Sequence, residues 1–425
     1  MSIIYNKHIL KNGLRIIAHQ MPSMRSVALG IWIKVGGRYE EPAHKGVAHF
    51  LEHLLFKGSR KYSCRRIKES LEGCGGTLNG FTSEELTCYL VKLPAEHLVL
   101  ALDILSDMVI NPRLSPDEVK KEKTVILEEI KMYKDLPQSY VHELLDELLW
   151  PAQPLGMSIA GSVESVSRMA AGGIASFKSL YYTPRNIVVS VAGRFQHEQF
   201  FKMAGDKFRC LKGKGVNSFR PAIERQKKPQ LKVFPKDTEQ THLAMGFHSF
   251  RRDDPLKYAL SLLHIILGAN MSSRLFNELR EKRGLAYEIG AQVKRFQETG
   301  AFIIHAGIDN RKVSSAIDLI IAELEKIRDK PVKEGELKRA KEFFLGQIAL
   351  ALEDTLDHML WMGESTSTMG KVFLWEEIVK EIKGIGVSDI ISAAKRIFRR
   401  QALNLALIGP LAVQEDKIYR RLNLK

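Results

Sequence analysis

Two histidines four residues apart with a glutamate between them, His49-Phe50-Leu51-Glu52-His53, are the residues whose types and spacing point most directly to chemistry. Neutral imidazole nitrogens bind zinc, and on a helix positions four apart share a face, so His49 and His53 can offer two ligands to one ion. Glu52, three residues after His49, lies on that face and can reach a metal-bound water, which makes it the candidate general base. A catalytic zinc takes three protein ligands and leaves a position for water, so a third ligand must come from elsewhere in the chain.

The elements that would position these residues can be read locally. Residues 45–58 carry apolar positions at helical intervals without proline or interior glycine, and a helix is expected there. A second helix is expected from about Ser115. Ser115 suits the N-cap, Pro116 the first helical position, and Ser115 with Glu118 makes a capping box. Along it Glu122 and Glu129, seven apart, share a face, with Val125, Ile126 and Ile130 expected to secure that face against the core. Either glutamate could supply the third ligand, the other supporting it. The tract Thr77–Val91 reads as a strand with a local break at Gly80; Asn79-Gly80 taken alone would read as a turn.

Bulk composition narrows the class. The 425 residues, 45% hydrophobic and 27% charged, suit a globular protein of two to three domains. A net charge of +15 would suit anionic partners, yet the cations are interleaved with acids, as in Lys120-Lys121-Glu122-Lys123, which is the pattern of solvated helix faces. No nucleic-acid or membrane partner is expected, and the N-terminal stretch has no signal-peptide core, so the reading is a soluble cytoplasmic protein. Cys64, Cys74, Cys88 and Cys210 form no CxxC pair and are expected to be reduced thiols.

The segment 212–230, rich in Gly, Pro and charge, divides the chain into halves with the same order of signals. Strand-like runs open each half at Leu14–Val35 and Leu231–Phe247 and close each at Asn186–Gly193 and Leu403–Gly409. Leu114–Ile130 aligns without gaps on Val332–Ile348, with lysines and apolar positions in register. The expected fold class is therefore α+β: two homologous domains, each a mainly antiparallel sheet with helices packed on it. The domains are placed at 1–211 and 231–425, joined by the linker 212–230. In the alignment Glu129 falls opposite Gln347 and Glu122 opposite Ala340, and no H-x-x-E-H recurs, so one catalytic site per chain is expected.

The H-x-x-E-H order reverses H-E-x-x-H and is the inverzincin signature. With the tract Gly73–Tyr89, the helix Glu122–Ile130 and the run Met271–Gly290, the chain resembles the pitrilysin or insulinase family of zinc peptidases over nearly its whole length. It has the size of the short, two-domain members, which include the β subunit of mitochondrial processing peptidase. The resemblance implies one Zn2+ held by His49, His53 and Glu129, the last 76 residues after the second histidine, with Glu122 supporting the site and Glu52 as base. It implies that Arg280 and Tyr287 contact substrate near the scissile bond, and that Asn79, Gly80 and Phe81 belong to an edge strand that pairs with extended peptide. Without it, Arg280 would read as a helix-surface charge and Tyr287 as an ordinary half-buried aromatic. The implied function is a zinc endopeptidase acting on unstructured peptides, as a homodimer or beside a family-related subunit. The alternative is a scaffold subunit that keeps the fold without the chemistry or needs a partner for it.

Overall fold

The computed structural model describes residues 5–213, 218–411 and 414–425; the first four residues of the N-terminal stretch and residues 214–217 of the expected linker lie outside the described residues. The chain forms two compact units, each built around one sheet. The first sheet contains β1 (Asn6–Ile9), β2 (Arg15–Gln20), β3 (Ser26–Ile33), β4 (Thr77–Thr82), β5 (Thr87–Pro94) and β6 (Ile187–Gly193), in the order β1-β2-β6-β3-β5-β4. The second contains β7 (Gln230–Pro235), β8 (Gln240–Ser249), β9 (Ala286–Arg295), β10 (Gly300–Asp309) and β11 (Asn404–Gly409), in the order β7-β11-β8-β10-β9.

These two orders are the same order. If β2, β6, β3, β5 and β4 are replaced by β7, β11, β8, β10 and β9, the first sheet becomes the second, with β1 as an extra edge strand. The pairing agrees too. β2 with β6 and β7 with β11 are parallel, and the other pairs in both sheets are antiparallel. Both the expected fold class and the duplication are therefore present in the structure.

Largely apolar runs in β3 and β6 follow from burial on both faces, and Ser190 within β6 is satisfied by a hydrogen bond from Trp32 Nε1 at 2.9 Å. On one face Val27, Leu29, Ile31, Ile187, Val189 and Val191 join the core formed with the helices of the first unit. On the other, Ala28, Trp32, Val188 and Ala192 pack against Met359 and Met362 of the helix Thr355–Met369. In the second unit the helix Pro137–Leu149 packs Val141, Leu144 and Leu145 against Ala244, Ile303 and Ala406.

One boundary between the units, at Arg220–Pro221, falls within the expected linker 212–230, but the units are not the two continuous stretches expected. The first unit comprises Met1–Ile130, Ser158–Arg220 and Ile348–Trp375, and the second Lys131–Met157, Pro221–Gln347 and Glu376–Lys425. The chain thus crosses from one unit to the other repeatedly, because each sheet takes one covering helix from the opposite half of the sequence. Composition marks a linker but carries no information about which sheet an apolar helix covers.

Three local expectations also change. Gly80 does not break a strand: it pairs with Tyr89 inside β4, and the turn lies at residues 83–86. Val125 is half exposed, and Val119 takes its place in the core with Ile126 and Ile130. Ser115 accepts from the Glu118 amide at 3.3 Å, but the Glu118 carboxylate binds Lys121 rather than closing the capping box. Cys64, Cys74, Cys88 and Cys210 are free. Among the described residues no helix is long and apolar enough to cross a membrane.

Candidate metal centre

The motif lies on the helix Val47–Leu55, whose start is fixed by an unusual cap. The buried Glu40 carboxylate accepts from the amides of Gly46 at 2.9 Å and Ala48 at 2.6 Å, satisfying donors that the first helical turn leaves free. Phe50, Leu51, Leu54 and Leu55 are fully buried in the core of the first unit. That anchorage leaves His49, Glu52 and His53 together on the remaining side of the helix.

The second helix, Pro116–Asp135, presents Glu122 and Glu129 to them. Glu129 reaches both histidines: one carboxylate oxygen lies 3.7 Å from His49 Nε2 and the other 3.6 Å from His53 Nε2. Glu122 instead binds the far side of His53, with Oε1 2.8 Å from Nδ1, while its Oε2 accepts from Lys57 Nζ at 2.7 Å. The two glutamates that helical spacing alone left interchangeable are thus separated by geometry, with Glu129 among the donors and Glu122 behind them, the arrangement that the resemblance implies.

The arrangement fits zinc. A tetrahedral ion with bonds of about 2.1 Å spaces its donors roughly 3.4 Å apart, close to the separations between the histidine nitrogens and Glu129. Donor atoms of His49, His53 and Glu129 all lie within 4.8 Å of one another, and among the described residues they are the one such group of three. The Glu122 contact places the His53 proton on Nδ1 and leaves the Nε2 lone pair directed at the site. Burial, then the neighbouring His53, pulls the His49 imidazole down to about 4, so it is neutral and able to bind a cation. Burial likewise disfavours the His53 cation, but the hydrogen bond to Glu122 and the charges of Glu129 and Glu52 prevail and hold its pKa above the ordinary value.

Glu52 stands outside the donor group. It is buried, and burial raises its carboxyl above the usual range against the lowering influence of a hydrogen bond from Thr82 Oγ1, 2.8 Å from Oε2. Thr82 ends β4, the free edge of the first sheet. Leu78, Gly80 and Thr82 alternate along one face of that strand, with Asn79 and Phe81 on the other. Phe81 packs edge-on to Trp32 at 5.7 Å, and Asn79 accepts from the Gly80 amide at 2.8 Å. Gly80 permits a close approach, since a Cβ there would lie 2.9 Å from the Phe56 ring at the end of the motif helix. Thr82 and Lys57 escaped sequence reasoning because a threonine at a strand end and a lysine after a helix carry no distinguishing local signal.

Arg280 and Tyr287 belong to the second unit and lie together. The Arg280 guanidinium is over the Tyr287 ring at 5.5 Å and over the Phe276 ring at 4.9 Å. Arg280 lies in the last turn of the π-helix Phe276–Glu281, and Tyr287, on β9, is 75% exposed rather than half-buried. Both line an open cavity of about 780 Å³ with Gln240, Asp309 and Lys312. The same unit has Ala340 buried and Gln347 exposed at the positions aligned with Glu122 and Glu129. On its helix Lys257–Gly268, His264 is bound to the Ala291 carbonyl at 2.7 Å.

The chain is similar to known proteins over nearly its whole length. A family model described as Insulinase (Peptidase family M16) matches residues 15–163, and one described as Peptidase M16 inactive domain matches residues 172–344. A Bacillus subtilis protein named as an uncharacterized zinc protease, YmxG, is 35% identical over 406 residues, covering 95% of this chain and 98% of the relative. The structure of a protease from Helicobacter pylori shares the fold with a TM-score of 0.90 at 23% identity, covering 96% of this chain and 100% of that one. A chain from Complex III2 of Candida albicans with Inz-5 bound shares it with a TM-score of 0.85 at 16% identity, covering 98% and 99%.

Proposed function

The chain belongs to the insulinase family of peptidases, family M16, and from that premise we propose that it is a zinc-dependent endopeptidase that hydrolyses unstructured peptides with Glu52 as general base. The observation that carries this reading is the convergence of His49, His53 and Glu129 beside Glu52, a carboxylate outside the donor group on the same helix. One zinc ion per chain would be held by those three side chains, with Glu122 orienting His53. Zinc, when bound there, supplies the Lewis acidity that acidifies water and polarises a carbonyl group.

Glu52 would then take a proton from the attacking water and pass it to the leaving amine. Its raised pKa suits both halves of that task, since a carboxyl nearer neutrality both accepts and releases a proton readily. The free edge of β4 offers backbone donors and acceptors to an extended peptide, the mode in which Asn79, Gly80 and Phe81 would contact substrate. Arg280 and Tyr287 are assigned as donors to the peptide, a role supported by the family resemblance and by their exposure side by side. A dimer, with a second copy or a related subunit, is part of the same proposal.

The test compares zinc content and cleavage of a labelled unstructured peptide between wild type and two variants. Glu52→Gln should keep its zinc and lose turnover, whereas His49→Ala should lose both. A wild type that holds zinc but cleaves nothing would favour the second reading, a scaffold or partner-dependent subunit, whose support is the fold shared with the Complex III2 chain. A wild type without affinity for zinc contradicts both the metal site and the mechanism.

A further inference from the structure

We infer that Thr82 is the positioning residue for the general base, its hydroxyl holding one carboxylate oxygen of Glu52 so that the other faces the reacting water; the inference rests on the assignment of Glu52 as that base. The contact is direct, Thr82 Oγ1 donating to Glu52 Oε2 at 2.8 Å. A glutamate carboxylate turns about a broad, roughly two-fold terminal torsion. One fixed hydrogen bond therefore decides which oxygen is engaged and which remains free to accept a proton.

The hydroxyl is fixed independently of the metal ligands. Thr82 pairs with the fully buried Thr87, whose own hydroxyl donates to the Val35 carbonyl at 2.9 Å. The turn that follows is closed by the Ser83 amide on the Leu86 carbonyl at 2.8 Å and by the Leu86 amide on Ser83 Oγ at 3.1 Å. Residues 37 and 38 clamp it, the Gly37 amide donating to the Ser83 carbonyl at 3.0 Å and the Arg38 amide to the Glu84 carbonyl at 2.9 Å. A buried ion pair, Arg38 with Glu85 at 2.6 Å, locks the clamp. The strand approaches the motif helix closely because Gly80 has no side chain to hold it off Phe56. Thr82 therefore ties the base to the sheet edge offered to substrate, while His49 and His53 are held by their own helix and by the glutamates.

The experiment compares wild type with Thr82→Val, which keeps the shape and removes the hydroxyl, and Thr82→Ser, which keeps the hydroxyl. Thr82→Ala is a second hydroxyl-free variant should valine misfold. Zinc content, kcat and KM for a labelled unstructured peptide are measured for each. The hydroxyl-free variants should bind zinc at wild-type stoichiometry and keep the wild-type KM while kcat falls about 10- to 100-fold, the loss expected for one hydrogen bond to a charged group. Thr82→Ser should restore most of kcat. Wild-type kcat in a folded hydroxyl-free variant, a loss that serine shares, or a loss that follows zinc content overturns the inference and leaves Glu52 as base untouched. A zinc-loaded wild type that cleaves nothing removes the reading of Glu52 itself, and this inference with it.

Discussion

His53 is held from both sides, by Glu122 at Nδ1 and by Glu129 near Nε2. Replacing Glu122 with glutamine removes the charge that both His53 and Lys57 address. Outer contacts of this kind are worth about 10- to 100-fold in metal affinity, so Glu122→Gln should weaken zinc binding by that factor in a chelator competition, with the fold retained. Wild-type affinity in the variant would count against the assignment. Acid should act through the same residue. The His53 pKa is raised, and a proton on Nε2 excludes the metal, so zinc affinity should already be falling as pH drops through neutrality, before His49 titrates at about 4. Chelator competition between about pH 8 and about pH 6 checks this, and an affinity constant over that range would contradict it. At this scale spacing on a helix singled out His49, Glu52 and His53, and the structure gathers them on one side of that helix. Spacing alone left Glu122 and Glu129 equivalent, because a seven-residue separation says that two side chains share a face and not which one reaches an ion; the family resemblance is what named Glu129.

The helix Thr355–Met369 shows how tightly an element that covers a sheet must fit. A Cβ at Gly363 would lie 1.9 Å from Trp32 Nε1, against a core already filled by Met359 and Met362. Gly363→Ala should therefore destabilise the protein by about 3 kcal/mol, at the upper end for overpacked cores, and lower its melting temperature; an unchanged melting temperature would show that the helix can shift. Arg15 donates to the Thr366 carbonyl at 2.9 Å near the end of this helix, and Asp354 caps its start while paired with Lys92 at 2.5 Å. Most elements were legible from local pattern. β2, β3, β6 and the two site helices fall where the apolar runs and caps placed them. The tract around Asn79-Gly80 was not, because a glycine that permits close approach to Phe56 looks in sequence like one that breaks a strand.

For the molecule as a whole, buried histidines set an acid limit on stability. Burial, followed by the neighbouring His19, pulls His358 down to about 4, and burial, followed by His305 and Lys294, does the same to His142. The unfolded chain holds these imidazoles near 6.5, so between about 6.5 and about 4 it binds more protons than the folded one. Their contribution, on the order of 3 kcal/mol each, is full above the unfolded value and is lost as pH falls through that window. Urea titrations at stepped pH should show this decline, and a combined His142→Gln and His358→Gln variant should flatten it. The proposed homodimer predicts a particle of twice the 48.1 kDa chain mass by light scattering, and a strictly monomeric chain would require a partner subunit for that proposal to stand. The sequence by itself determined the duplication, the fold class and the H-x-x-E-H motif on its helix, because each is written in periodicity, spacing or self-similarity along the chain. Only the tertiary structure decided that Glu122 binds the far side of His53, that Thr82 reaches Glu52, and that each half of the sequence supplies a helix to the opposite unit. Those outcomes depend on contacts between residues 30 to 329 positions apart, such as Glu52 with Thr82 and Ser26 with Thr355, and local pattern carries no record of them.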